Sequence, residues 1–305
     1  MILQKKAEES GRTAVALGNF DGVHLGHRVI LNACVETAQK RGLTSLVWTF
    51  RRHPQALMGA SWAGQLLSPE EKFRRLEALG LDRLFLAEFE EMRNFSPEEF
   101  CERVLLSALG AKAVFCGFNF RFGKNGAGDA RFLSSYLKER GVEVFVANPV
   151  TMKGETVSSS RIRALLSQGE AEEAGLLLGE PYSVSFPVEK GKQLGRRLGL
   201  PTINQAFPRG YALPRFGVYA VRAQLDGQAL FGVCNVGMRP SVDDGDEVRA
   251  ETHWMDYSGD LYGRSITVEF HRFLRAERRF DSLEALREQM ERDRAAAQDY
   301  WKEQQ

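Results

Sequence analysis

No two cysteines lie close together in this sequence: Cys34, Cys101, Cys116 and Cys234 form no CxxC pair. Three of them fall in apolar runs, where a small buried hydrophobe is the default, so reduced thiols in the cytoplasm are expected. An excess of one charge is missing too, with 41 Lys and Arg against 40 Asp and Glu. There is therefore no global field for nucleic acid or an anionic membrane, neither of which is expected as a partner, and any phosphate ligand must be held locally. No apolar run approaches the roughly 18 residues of a membrane span, and the polar residues 1–12 hold no leader core. A secreted or membrane-spanning product is not expected. The glycine spacing of residues 18–27 is not GxGxxG. Nor is Gly117–Lys124 a Walker A loop, because its glycines are too far apart and no Ser or Thr follows the lysine.

What is present is length enough for two cores in 305 residues. Two domains are expected, 1–180 and 181–305. The first is organised around Gly18-Asn19-Phe20-Asp21-Gly22-Val23-His24-Leu25-Gly26-His27, which follows the apolar run Ala14–Leu17 and precedes a helical pattern from Arg28. A strand, a glycine-studded turn and a helix make a phosphate cradle, since glycines admit close backbone approach and the first helical amides carry the positive end of the dipole. His24 and His27, three residues apart, are expected on one face of the first turn, each donating to a phosphate oxygen. A metal pair is the alternative, disfavoured because no third ligand is near.

Beyond the cradle, Val29–Gly42 reads as a helix stopped by glycine and Leu43–Phe50 as a buried strand. Capping boxes at Ser68-Pro69-Glu70-Glu71 and Ser96-Pro97-Glu98-Glu99 open helices to Gly80 and to near Gly110. With the short apolar runs Leu84–Ala87, Ala113–Cys116 and Val142–Val146, this alternation predicts a mostly parallel sheet covered by helices, with ligands at the carboxyl ends of its strands. Three more stretches reach for that edge: Thr49–Pro54 with His53, Gly117–Lys124 with Asn119, and Ser158–Arg163. Ser159 and Ser160 at a helix start, with Arg163 one turn on, suit a terminal phosphate. On chemistry alone an ordinary cap with solvated arginines fits them equally well.

After Leu178-Gly179-Glu180-Pro181 the period changes to two: Tyr182, Val184, Phe186 and Val188, then Val218 with Ala220, then Val268 with Phe270. Half-buried antiparallel strands closely punctuated by Gly and Pro predict a small barrel, with a final helix Ser282–Trp301 packing through Leu283, Leu286, Met290 and Ala297. The polar chemistry lies in Gly191–Asn204, Asn235–Ser241 and Glu251–Gly263. Taken alone, these strings read equally as hairpin turns.

The string GNFDGVHLGH resembles the H-x-G-H signature of α/β nucleotidyltransferases, and within them the FAD synthetase half of bacterial bifunctional riboflavin kinase/FAD synthetases. The second-half strings GRRLGLPTIN, NVGMRPS and ETHWMDYSGDLYG resemble the riboflavin kinase half, in the expected order. The resemblance implies a Rossmann-like N-terminal domain and a small antiparallel β-barrel with a terminal helix. It implies substrates ATP, riboflavin and FMN, with Mg²⁺ as cofactor. No oligomer is predicted.

In the first half the resemblance implies His24 and His27 as catalytic, with Gly18, Asn19, Phe20, Asp21, Gly22, Gly26, His53, Asn119, Ser159, Ser160 and Arg163 binding nucleotide or flavin. In the second it implies Glu251 as the base, Thr202 and Asn204 as metal ligands, and Gly191, Lys192, Gly195, Pro201, Asn235 and Arg239 around nucleotide or flavin. Oxygen ligands of this kind suit Mg²⁺. Departures from the family pattern stand at Arg52, Phe186, Pro187, Ile203, Ser241 and Tyr257. Ile203 is expected to narrow the pocket. Rival readings are a chain that kept one activity and a non-catalytic flavin- or nucleotide-binding protein, against which the intact reacting groups speak.

Overall fold

The computed structural model describes residues 1–4, 11–57, 62–191, 195, 199–239 and 247–304. They form two compact units, Met1–Ser159 and Ser160–Gln305.

In the first unit six strands make one parallel sheet in the order Ile2–Gln4, Arg83–Ala87, Thr44–Phe50, Thr13–Leu17, Ala111–Gly117, Glu143–Ala147. Val15 and Leu17 pack one face against Trp48, Phe100, Leu105 and Leu133. Ala14 and Ala16 alternate with them, so the opposite face is small, and there the helix Leu25–Arg41 buries Ile30, Leu31, Cys34, Val35 and Ala38. The Cys34 thiol donates to Ala14 O at 3.2 Å, a measure of how closely helix and strand approach. Gly42, at φ 60°, ends that helix in the left-handed cap its sequence predicts.

The expected elements are present with shifted ends. Ser68 caps Pro69–Ala78 by accepting from Glu71 N at 3.0 Å, but Glu71 spends its carboxylate on Arg74 and Arg75, so only half a capping box forms. At Ser96 the box is complete. The helix it opens turns α-helical only over Pro97–Glu99 and continues over Phe100–Ala108 with the wider π spacing, seen in Leu109 N donating to Val104 O. The edge strand Ile2–Gln4 was not expected from the sequence.

From Thr13–Leu17 the chain builds outward through Thr44–Phe50 and Arg83–Ala87, then returns to place Ala111–Gly117 on the other side of Thr13–Leu17. The order reverses between those two strands. Residues 18–24 and 118–124 leave from their carboxyl ends, which is where open α/β sheets bind ligands.

In the second unit six antiparallel strands run in the order Tyr182–Pro187, Ser265–Ala276, Gly217–Leu225, Gln228–Arg239, Glu247–Trp254, Ile203–Ala206. The two outer strands nearly meet: Glu189 bridges Asn204, and the buried Gln205 amide donates to Phe186 O and Ile266 O. A nearly closed barrel results. Phe186 sits inside it edge-on to Phe207 and Tyr211, which explains a large aromatic at that departure. The helices Ser159–Gln168 and Ala171–Leu178 bring Gly169 against Phe273 and Glu172 against Arg272 of the barrel. The terminal helix Leu283–Glu303, capped by Ser282, packs through Gln289, Asp293, Ala297, Tyr300 and Trp301. Leu283, expected on that face, is exposed instead, because the helix has barely begun there.

Candidate functional site

Two sites can be built, one in each unit. In the first, His24 is not on the opening turn of its helix but is its cap. Nδ1 of His24 accepts the His27 N–H at 3.3 Å. An accepting Nδ1 places the ring proton on Nε2, so His24 donates from that nitrogen alone. The two imidazoles nevertheless come together, stacked with centroids 3.6 Å apart and planes 16° from parallel. Gly26 makes the cap fit: a Cβ there would stand 3.2 Å from His24 Cε1.

The other predicted residues of the loop are mainly its scaffold. Phe20 is fully buried, its ring over Gly18 and edge-on to His27 at 5.3 Å, so it supports the imidazole. Both carboxylate oxygens of Asp21 accept from Leu66 N, at 3.0 and 3.1 Å. The Ser159 hydroxyl donates to Asp21 O at 2.8 Å. His53 reaches the loop, with Nε2 3.4 Å from the Asn19 amide, and its ring stacks on Trp62, a residue the sequence reading missed. Asn119 is exposed and holds its Oδ1 over Gly117 at the switch point. Arg52 is exposed. Ser160 and the buried Arg163 lie on the first turns of the helix Ser159–Gln168 and belong to the second unit.

A cation also meets this loop without having been foreseen. Lys72 Nζ donates to Asn19 O at 2.8 Å. Burial pushes its ammonium below the ordinary lysine value, and the Asp21 carboxylate opposes that shift.

The second site is written in the strand register. Asn204 pairs with Glu251, Glu251 with Asn235, Asn235 with Val218 and Val218 with Arg275. Directly opposed residues share a face, so one row of side chains crosses five adjacent strands. Thr252 and Cys234, one residue along, are fully buried on the inner side. Glu251, Asn235, Val218 and Arg275 line a cavity of about 260 Å³ with Thr202 and His253, closed on its far side by Leu286, Met290 and Asp293 of the terminal helix. Arg275 holds that helix by a two-pronged pair to Asp293, at 2.8 and 2.7 Å. Sequence reasoning missed Arg275, whose only signal is its position on a strand that pairs late in the chain.

Asn204 Oδ1 is buried with no hydrogen-bond partner among the described residues, which suits an oxygen ligand awaiting a cation. Gly191 makes room for it, since a Cβ there would stand 2.5 Å from Asn204 Nδ2. Gly195 is equally constrained, 2.3 Å from Leu200 O on the same test. Pro201 contributes its carbonyl, to which His253 Nδ1–H donates at 2.9 Å. Ile203 pairs with Thr252, one residue along from the row of Asn204 and Glu251, and does not line the cavity. Lys192 and Ser241 lie outside the described residues, and Arg239 is described only as a strand position.

A parallel sheet with a histidine-capped turn at its switch point is thus carried on the same chain as a barrel with a carboxylate-lined cavity. Residues 6–161 match the FAD synthetase family and residues 178–301 the riboflavin kinase family. Bifunctional riboflavin kinase/FMN adenylyltransferases from Bacillus subtilis (strain 168), Pseudomonas fluorescens and Escherichia coli (strain K12) are 34%, 38% and 34% identical to it. The alignments cover 96%, 92% and 94% of this chain and 94%, 90% and 92% of theirs. A solved structure described as a macrolide-efflux protein from Streptococcus pneumoniae superposes with a TM-score of 0.86 at 29% identity, over 97% of this chain and 98% of that one. The chain belongs to the bifunctional riboflavin kinase/FMN adenylyltransferase family. Among the described residues no helix is long and apolar enough to cross a membrane.

Proposed function

We propose that the second unit phosphorylates riboflavin with MgATP to give FMN, and that the first transfers AMP from another ATP onto FMN, giving FAD and pyrophosphate. The functional division falls near residue 180, giving 1–180 and 181–305. The observation that carries the reading is the row Asn204–Glu251–Asn235, which sets an amide, a carboxylate and a second amide side by side across adjacent strands beside a cavity.

In the kinase half, the ribityl 5′-hydroxyl is a poor nucleophile until its proton leaves. Glu251 accepts that proton as the hydroxyl oxygen bonds to the γ-phosphorus and the bridging bond to ADP breaks. Thr202 and Asn204 are the residues that would hold Mg²⁺, which would supply charge neutralisation on the ATP phosphates. Gly191, Gly195, Pro201 and Asn235, with Lys192 and Arg239 as the resemblance implies, are the residues assigned to nucleotide and flavin binding. Leu286 and Met290 offer the apolar wall a flavin ring needs, and the paired Arg275 and Asp293 fix its far side.

In the adenylyl-transfer half, the FMN phosphate is already ionised at neutral pH. Its oxygen attacks the α-phosphorus of ATP while pyrophosphate departs, so positioning and charge stabilisation suffice without a protein base. His24 Nε2–H and His27 donate to phosphate oxygens, supported by the amides at the start of the helix Leu25–Arg41. Ser160 and Arg163 are the further nucleotide-binding residues that the family resemblance implies. Ser159, bonded to Asp21 O, shapes the loop, as do Phe20, Asp21 and Gly26. Four buried, unpaired cysteines support a reducing, cytoplasmic setting.

Chromatography of products tests the reading. With Mg²⁺ and ATP, riboflavin should yield FMN and then FAD, and FMN supplied alone should yield FAD. Flavin bound without turnover, or only one of the two products formed, would contradict it.

A further inference from the structure

The helix Pro69–Ala78 holds the loop that leads into His24, and it does so with cations. Lys72 and Arg75 stand three apart and so on one face of that helix. Lys72 Nζ donates to Asn19 O at 2.8 Å and Arg75 Nη1 to Gly22 O at 3.4 Å, so both ends of the segment Asn19–Gly22 are gripped at their carbonyls. Arg75 is itself buried and fixed by Glu71, Nε to Oε1 at 2.9 Å. The Thr49 hydroxyl adds a bond to Asn19 O at 3.1 Å.

The segment requires such holding. Phe20 at φ 48° and Val23 at φ 45° are both left-handed, a conformation that a Cβ disfavours, most of all a branched one. Because the peptide is planar and trans, turning Asn19 C=O toward Lys72 turns the Phe20 N–H the opposite way. The same loop sets the Phe20 ring against His27 and delivers His24 to its cap. A cation on a carbonyl is a charge-assisted bond, which a neutral side chain of the same length does not replace.

We propose that Lys72 and Arg75 form a two-point clamp that sets the backbone of Asn19–Val23, and through it the His24–His27 pair, making both positioning residues for adenylyl transfer. The inference rests on reading the first unit as an FMN adenylyltransferase. Lys72 acts through the Asn19 carbonyl and not on the substrate.

The full chain carrying Lys72→Met, which keeps the aliphatic stem and removes the charge, is compared with Lys72→Arg, which keeps the charge. FAD formation from FMN is measured beside FMN formation from riboflavin, the second reaction reporting an intact preparation. Lys72→Met should lower kcat for FAD formation by about 10- to 100-fold while KM for ATP and FMN changes by less than about threefold, as expected of misplaced groups, and Lys72→Arg should recover most of it. Parental kcat in a Lys72→Met protein that still makes FMN would overturn the clamp, as would a loss confined to KM, or Lys72→Arg being as impaired as Lys72→Met. If Lys72→Met is not recovered folded, Lys72→Gln is judged by the same criteria. Failure of the underlying reading looks different, because the parental chain itself would then form no FAD from FMN, and the clamp would fall with it.

Discussion

Asn204 and Glu251 face each other directly on adjacent antiparallel strands, which sets a neutral side-chain amide beside a carboxylate with no intervening residue. The pairing divides labour in the kinase half. Asn204→Ala should raise the Mg²⁺ concentration needed for half-maximal FMN formation by about tenfold, since a lost ligand costs roughly one hydrogen-bond equivalent to a charged group. A magnesium titration of initial rates reads this, and an unchanged requirement would remove Asn204 from the ligand set.

Gly191 makes the same argument by steric means. A methyl group at this position meets the Asn204 amide at 2.5 Å, closer than any Cβ contact tolerates. Gly191→Ala should reproduce the raised Mg²⁺ requirement of Asn204→Ala with FMN-to-FAD conversion retained. Parental kinase behaviour in Gly191→Ala would show that the space Gly191 leaves for Asn204 is not needed.

Gly26 plays the matching part in the first unit, where an added Cβ falls 3.2 Å from His24 Cε1 and 3.6 Å from Val157 O. The helical backbone there accepts alanine, so any effect comes from the displaced ring. Gly26→Ala should slow FAD formation by about tenfold or more, as a small misplacement of a reacting group does, and should leave FMN formation intact. Undiminished FAD formation would mean that the position of the His24 ring does not matter.

Much of this arrangement was legible in the sequence because it rests on local rules. Gly42, Ser68, Ser96 and Ser282 mark helix ends through caps that depend on a few neighbouring residues. The change of period after residue 180 announced the barrel, and the resemblance supplied Glu251 and Asn204. Three features were not legible, each for a physical reason. His24 looked like a first-turn residue because sequence spacing cannot tell a cap from the turn it caps. Lys72 meets Asn19 across 53 residues, and Arg275 joins the row of Glu251 only through strand pairing, both of them tertiary relationships without local pattern. Leu283 followed apolar spacing but fell where the helix starts, beyond the surface it covers.

The thiols provide a pH-dependent check on the fold. Burial pushes Cys34, Cys101, Cys116 and Cys234 up to about 12, whereas an unfolded chain frees thiols with an ordinary value of about 8.5. Because the folded value is the raised one, this contribution to stability is complete below the unfolded value and declines as pH rises from there toward about 12. A thiol reagent at about pH 8 should find no reactive cysteine in the native protein and all four in denaturant. Rapid labelling of any of the four without denaturant would contradict the packing described.

The central claim is that one chain carries two separate chemistries, and it is tested most directly by assaying Glu251→Gln and His27→Ala side by side, each supplied first with riboflavin and then with FMN. Glu251→Gln should make no FMN from riboflavin, a fall of about 100- to 10,000-fold for loss of a general base, yet still convert FMN to FAD. His27→Ala should accumulate FMN and make little FAD. Failure of Glu251→Gln to make FAD from supplied FMN with its fold intact, failure of His27→Ala to make FMN from riboflavin with its fold intact, or FMN formation by Glu251→Gln at the parental rate would contradict the account.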